Sequence, residues 1–382
     1  MENRIETSVR KELATMQSYS PGKPIWELQK EYGIEEVIKL SSNENALGAS
    51  PAAKDAIAQY VASIHRYPDA HTSLLRDAIS SVYDVERDNI IIGNGADEII
   101  KLISETFLTS GDEVIVPTPS FSEYDFGANL MGATVVKVPL TETFEYDLTA
   151  VKKAITEKTK LIYLCSPNNP TGTYITREAL ETFLEDLPTN VLVVLDGAYA
   201  QYADANDFTD GIDLIGNKQP VIVIQTFSKV YGLAGLRVGF GIASNEIIQY
   251  LHKVREPFNV NSLAQAAAVA ALEDEEHLNA SKQLVVEGRK ELYQAFEQLG
   301  LSYTESMANF VFVNVGVDAT DVYEKLLRKG IIVRNGSVWN LLTHLRVTIG
   351  TPEENLRFIK ALGECLEEVR PVDQRENRAS FR

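Results

Sequence analysis

Lys229 and Arg237 stand eight residues apart, with Ser228 beside the lysine and glycines at 232 and 235 between them. An apolar, β-branched run at residues 221–224 leads into this stretch and predicts a buried strand that ends in a polar loop. A lysine amine at the mouth of a strand can condense with a carbonyl cofactor to a Schiff base, while a hydroxyl and a guanidinium hold that cofactor's phosphate. A loop lysine on its own is ordinarily a solvated surface group. The chemistry needs further groups at neighbouring strand ends.

Four other segments supply candidates. Gly93-Asn-Gly-Ala-Asp-Glu98 is a glycine-containing turn between a predicted strand and a predicted helix, and free amides at a helix N-terminus suit a phosphate; as a plain turn, Asp97 is simply a favourable first-turn acid. Ser166-Pro-Asn-Asn-Pro-Thr-Gly172 follows a strand directly; it is either a tight loop or a platform from which the Asn169 amide holds a cofactor oxygen. Asp196 ends another apolar run, with Tyr199 three residues on. A carboxylate there needs a cation, either a salt-bridge partner or a protonated pyridine nitrogen, which turns a ring into an electron sink. Pro119-Ser-Phe-Ser-Glu-Tyr124 carries an aromatic that either joins the core or stacks on a flat cofactor.

These groups require elements to position them. Apolar runs at 89–93, 113–117, 133–138, 161–164, 191–195, 221–224 and 237–241 alternate with helical stretches and predict a mostly parallel sheet covered on both faces. Ligands of such sheets sit beyond the carboxyl ends of the strands. Residues 246–300 read as helical, and runs at 310–314 and 345–349 around a helix at 321–329 predict a smaller α/β domain. The 382 residues divide into an N-terminal arm (1–40) packed with the small domain, a large domain (41–260), a linker helix with the small domain (261–370) and a polar tail (371–382). With 45% hydrophobic and 24% charged residues the chain is globular in composition. Its net charge of −18 argues against nucleic acid and anionic membranes as partners. Two distant cysteines give neither a disulfide framework nor a metal site, and the start lacks a signal-peptide pattern, so a cytoplasmic location is expected.

In their order along the chain the motifs resemble those of the fold-type I pyridoxal-phosphate enzymes, specifically the class I/II aminotransferases, over about residues 21–370. Tyr19-Ser-Pro-Gly-Lys-Pro24, Leu40-Ser-Ser-Asn-Glu-Asn45, His65-Arg-Tyr-Pro-Asp69, Gly95-Ala-Asp-Glu98, Val333-Arg334 and His344-Leu-Arg-Val-Thr-Ile-Gly350 are similar to the histidinol-phosphate branch of that family. The resemblance implies pyridoxal 5′-phosphate as cofactor, with Lys229 as its covalent anchor and proton carrier, Asp196 on the pyridine nitrogen, Asn169 and Tyr199 on the phenolic oxygen, and Phe121 against the ring. It implies a phosphate held by the Ala96 and Asp97 amides, Ser228 and Arg237, with Tyr67 reaching the cofactor of a second subunit in a homodimer. It further implies a substrate carboxylate on Arg346 and a substrate phosphate near Arg334 and Tyr19. The implied reaction is amino transfer between L-histidinol phosphate and the glutamate/2-oxoglutarate pair. Alternatives are an aromatic amino-acid aminotransferase, a phospho-amino-acid decarboxylase and a non-catalytic cofactor-binding regulatory module. The chain departs from the family pattern at Gly197, Gln201, Ala46 and Leu342, none of which is an expected catalytic group.

Overall fold

The computed structural model describes residues 8–14, 16, 22–216 and 219–369. Seven strands form the central sheet: β1 (Ile90–Gly93), β2 (Glu113–Thr118), β3 (Thr134–Pro139), β4 (Thr159–Cys165), β5 (Leu192–Asp196), β6 (Val221–Thr226) and β7 (Gly239–Ala243). Their spatial order is β1-β7-β6-β5-β4-β2-β3, and β7 alone runs antiparallel to its neighbours. The apolar runs are continuous because both faces are buried. Val193, Leu195, Val221 and Val223 enter one core cluster; Leu192, Val194, Ile222 and Ile224 enter the other. Helices Ala96–Phe107 and Asn245–Val254 cover the second face with Ile99, Ile103, Ile248 and Leu251. Pro51–Tyr60, Ser73–Tyr83 and Ser262–Glu273 contribute Ala53, Leu75, Ile79 and Ala264 to the first.

Strand ends differ from expectation by one or two residues, and at one of them the difference bears on the site. A strand was expected from residue 237, but β7 begins at Gly239, and Arg237 lies before it with φ 55°, in the left-handed region. That conformation is costly for a residue with a Cβ and clusters at functional sites.

A second, antiparallel sheet holds β8 (Ser302–Thr304), β9 (Phe310–Asn314), β10 (Arg334–Asn335) and β11 (His344–Thr348) in the order β10-β11-β9-β8. Only β9 and β11 are legible as apolar runs; β8 and β10 are too short for a pattern to form. An N-terminal segment joins this sheet to the lysine loop. Ile38–Lys39 pairs with Ile331–Ile332, Leu40 accepts from the Thr348 amide (2.9 Å), and Asn45 Nδ2 donates to the Val230 carbonyl (2.7 Å). Among the described residues no helix is long and apolar enough to cross a membrane.

The lysine loop turns at Gly232, whose φ is +69°, and a Cβ there would lie 2.1 Å from the Gly48 carbonyl oxygen. Gly33 has φ +66° but open space around it. Gly232→Ala is therefore expected to lose about 2–5 kcal/mol in urea unfolding, and Gly33→Ala only about 1. Equal losses would mean that the close approach of residues 48 and 232 carries no weight.

Candidate active site

The carboxyl ends of β4, β5 and β6 open into a cleft of about 1280 Å³. Lys229, Asp196, Tyr199, Asn169, Phe121, Ser228, Arg237, Ala96, Asp97, Arg334 and Arg346 all line it. Tyr67 does not line the cleft of its own chain, and Tyr19 lies outside the described residues.

At one end the donors converge as an anion site. Helix Ala96–Phe107 starts at the cleft, and its N-cap Gly95 (φ 84°) offers no side-chain acceptor to the first amides. A Cβ on Gly95 would lie 2.5 Å from Arg237 Nη2, so the turn and the guanidinium fit only because residue 95 has no side chain. Arg237 donates to Asp97 Oδ2 at 2.9 Å and to Ser228 Oγ at 3.4 Å. Helix amides, a hydroxyl and a guanidinium make a donor set matched to a phosphate dianion.

In the middle, Asp196 is buried at the end of β5. Its described partners are not cations. Tyr124 donates its hydroxyl to Oδ2 at 2.7 Å, and the Ala198 amide donates to Oδ1 at 3.0 Å. Burial pushes this carboxyl above its ordinary value, and the two hydrogen bonds oppose that shift. A protonated heterocycle placed against it is the cation such a carboxyl lacks. Tyr124 stacks on Tyr163 (centroids 4.5 Å apart) and meets the edge of Phe121 at 5.7 Å. Tyr199 accepts from Asn43 Nδ2 at 3.0 Å; burial raises its hydroxyl pKa, so it stays a phenol and a donor.

At the far end two arginines face each other. Arg334 on β10 and Arg346 on β11 are direct cross-strand partners, so both side chains leave the same face of the small sheet. Like charges in that relation repel unless an anion joins them. Arg346 is buried, donates to Asn169 Oδ1 and to the Ser41 carbonyl, and lies over the rings of Phe310 (5.3 Å) and Trp339 (5.5 Å). Since arginine only donates, the Asn169 atom facing it is the oxygen, and any bond that Asn169 gives a ligand comes from its NH2.

Lys229 lies between these ends. Its Nζ donates to the Ser42 carbonyl at 3.1 Å and sits 5.6 Å from the Tyr199 ring centroid. Desolvation, with Arg346 next in weight, lowers its amine to about 8. Three groups here went unassigned from sequence: Tyr124, Asn43 and Trp339. Tyr124 and Asn43 lie inside motifs quoted for other reasons, so a signal existed; nothing in the sequence singled out Trp339.

The lowered lysine can be titrated directly. In the protein freed of small molecules, competitive acylation of Lys229 should reach half its limiting rate near pH 8, whereas exposed lysines do so above 10. Arg346→Leu removes a neighbouring positive charge and should move that midpoint upward. A wild-type midpoint above 10 would contradict the desolvation of the site.

Comparison with known proteins agrees with this geometry. Residues 35–362 match the family model for aminotransferase class I and II. The histidinol-phosphate aminotransferase of Moorella thermoacetica is 49% identical, over 94% of this chain and 92% of the relative. Histidinol-phosphate aminotransferase 2 of Carboxydothermus hydrogenoformans is 45% identical, over 94% and 99% of the two chains. Among solved structures, that of histidinol-phosphate aminotransferase from Sinorhizobium meliloti in complex with pyridoxal-5′-phosphate superposes with a TM-score of 0.87 at 27% identity, covering 94% of this chain and 98% of the other. The chain belongs to the class I and II aminotransferase family.

Proposed function

We propose that the chain is a pyridoxal 5′-phosphate-dependent transaminase that moves an amino group between L-histidinol phosphate and the glutamate/2-oxoglutarate pair. One observation carries the choice of substrates: the cross-strand arginines Arg334 and Arg346 line the same cleft as Lys229. Two cations on one face suit reactants that bring a phosphate in one half-reaction and two carboxylates in the other. The shared name of the relatives supports the same choice.

When bound, the cofactor supplies a conjugated, protonatable ring that accepts the electron pair released at the substrate's Cα. Ser228, Arg237 and the first amides of helix Ala96–Phe107 would hold its phosphate. Asp196, kept in place by Tyr124, would keep the ring nitrogen protonated. Phe121 would lie against the ring, and Tyr199 and Asn169 would donate to its oxygen. Lys229 would hold the cofactor and carry the proton at the substrate's Cα. An amine lowered to about 8 is partly neutral at physiological pH, as a base at that carbon must be.

The assembly we propose is a homodimer with shared sites. Tyr67 is 83% exposed and stacks on Phe258, itself 41% exposed with φ 59°. Two exposed aromatics, one on strained backbone, with Ile64 at 64% exposure nearby in sequence, suit a surface that a second copy covers. Tyr67 would then reach the partner's cofactor phosphate. A cytoplasmic location accords with the two buried free thiols, Cys165 and Cys365.

Three measurements test these roles. With the cofactor bound, kcat/KM for histidinol phosphate with 2-oxoglutarate should exceed that for phenylalanine or tyrosine at least about tenfold, and Lys229→Ala should lose about 10³-fold or more. Arg334→Ala should cost about 10–100-fold on histidinol phosphate and far less on phenylalanine; equal losses would remove its phosphate role. Sedimentation should give a dimer, and Tyr67→Phe should weaken cofactor binding about tenfold although Tyr67 is absent from its own chain's cleft. A monomer with full activity would rule out the shared site.

A further inference from the structure

We propose that Trp339 is a positioning residue for the substrate anion, holding the Arg346 guanidinium in the one orientation from which it meets that anion. The inference rests on the transaminase reading, in which Arg346 binds a substrate carboxylate. Arg346 lies over Phe310 at 5.3 Å and Trp339 at 5.5 Å, while Asn169 and the Ser41 carbonyl take hydrogen bonds from its terminal nitrogens. Two acceptors fix the guanidinium at its edge, and two rings restrain it off the plane. Of the two rings, Trp339 lines the cleft and Phe310 does not. Trp339 is thus the ring that borders the cleft beside the Arg346 guanidinium, which lines the cleft as well.

The restraint has a physical reason. Arg334 stands directly opposite Arg346 in register, so repulsion between them favours swinging one guanidinium away whenever no anion lies between them. A π face offset by a few ångströms attracts the cation and resists that swing, and it does so more strongly in a desolvated setting. The residue is itself firmly mounted. It ends the turn Gly336–Trp339, which joins β10 to β11 and so connects the two arginine strands. Asn335 Oδ1 accepts from the Ser337 amide at 3.0 Å, Leu341 N donates to the Gly336 carbonyl at 3.1 Å, and Asn340 closes the turn with φ 60°. The indole also meets Phe312 edge-on, with centroids 6.1 Å apart at 88°.

The test compares steady-state kinetics of the cofactor-loaded enzyme for 2-oxoglutarate. Trp339→Leu should raise KM about 5- to 30-fold while kcat stays within about threefold, and Trp339→Phe, which keeps a ring over the cation, should recover most of the loss. In an Arg346→Ala background the same Trp339→Leu change should alter KM less than about twofold, because its effect passes through Arg346. An unchanged KM in the wild-type background, or an equal rise in both backgrounds, overturns the proposal. Should Trp339→Leu fail to fold, fluorinated tryptophans provide the second arm. The chain has only Trp26 and Trp339, so incorporation into Trp26→Phe protein weakens the π face of one residue with little change in shape. KM should then climb with each added fluorine, and a flat series overturns the proposal. A wild-type enzyme that fails to turn over the glutamate/2-oxoglutarate pair at all would instead defeat the transaminase reading.

Discussion

Asp196 is a carboxyl group at 3% exposure at the end of a central strand, and the site is arranged around what that burial demands. A buried ionised carboxylate is costly unless hydrogen-bonded and paired. Among the described residues the compensation stops halfway: a tyrosine hydroxyl and one backbone amide, both neutral donors. They hold the group in place without supplying the opposite charge. Tyr124, recruited for this, stacks on Tyr163 and sets the edge contact with Phe121, so the aromatic wall of the cleft follows from the carboxyl's need for a donor. The remaining deficit is one positive charge, which the protonated ring of the proposed cofactor would supply.

The rest of the cleft gathers cations within an acidic protein, among acidic groups such as Asp97 and Glu123. A chain with net charge −18 converges Lys229, Arg334, Arg346 and Arg237 on one cavity. Arg237 is matched by Asp97, but the pair is partly exposed, so an arriving phosphate competes with a weakly held carboxylate. Burial and the field of Arg346 both favour the neutral form of the Lys229 amine. In the proposed reaction a substrate carboxylate bound at Arg346 would cancel part of that field and raise the amine's proton affinity, coupling substrate binding to base strength through a Coulomb interaction.

The strands of the central sheet were legible in the sequence because each is buried on both faces, and a doubly buried strand leaves an unbroken apolar run. The polar residues that end those runs were legible for the same reason: Lys229, Asp196 and Asn169 interrupt apolar stretches at strand ends. What was hidden is pairing at a distance. Asp196 called for a cation, yet its described side-chain partner is the hydroxyl of Tyr124, which reaches it from the helix Glu123–Leu130, 72 residues away in sequence. β10 is two residues long and carries no periodic signal, so the facing of Arg334 and Arg346 appears only in the register of the folded sheet. Arg237 looked like the first residue of a strand; the ladder begins two residues later because its positive φ is incompatible with extended pairing.

Two sheets contribute to one reaction centre, and their relative register must hold to within fractions of an ångström for both to act on one small molecule. One residue that ties them together is Asn43. Its side-chain nitrogen donates to the Tyr199 hydroxyl, and its side-chain oxygen accepts from Thr348 on β11, two residues from Arg346. Its own amide donates back to Thr348 Oγ1, and its carbonyl accepts from Asn309. Every polar group of this buried residue is thus engaged, one with Tyr199 and three with Thr348 and Asn309. It does so at φ 56°, a conformation that asparagine adopts more readily than any other residue with a bulkier Cβ substituent. The Tyr199 hydroxyl and the Arg346 strand are therefore held to one side chain, and this short polar link acts together with the packing of the Tyr199 ring on Phe310 (5.1 Å) to set the distance between the two groups.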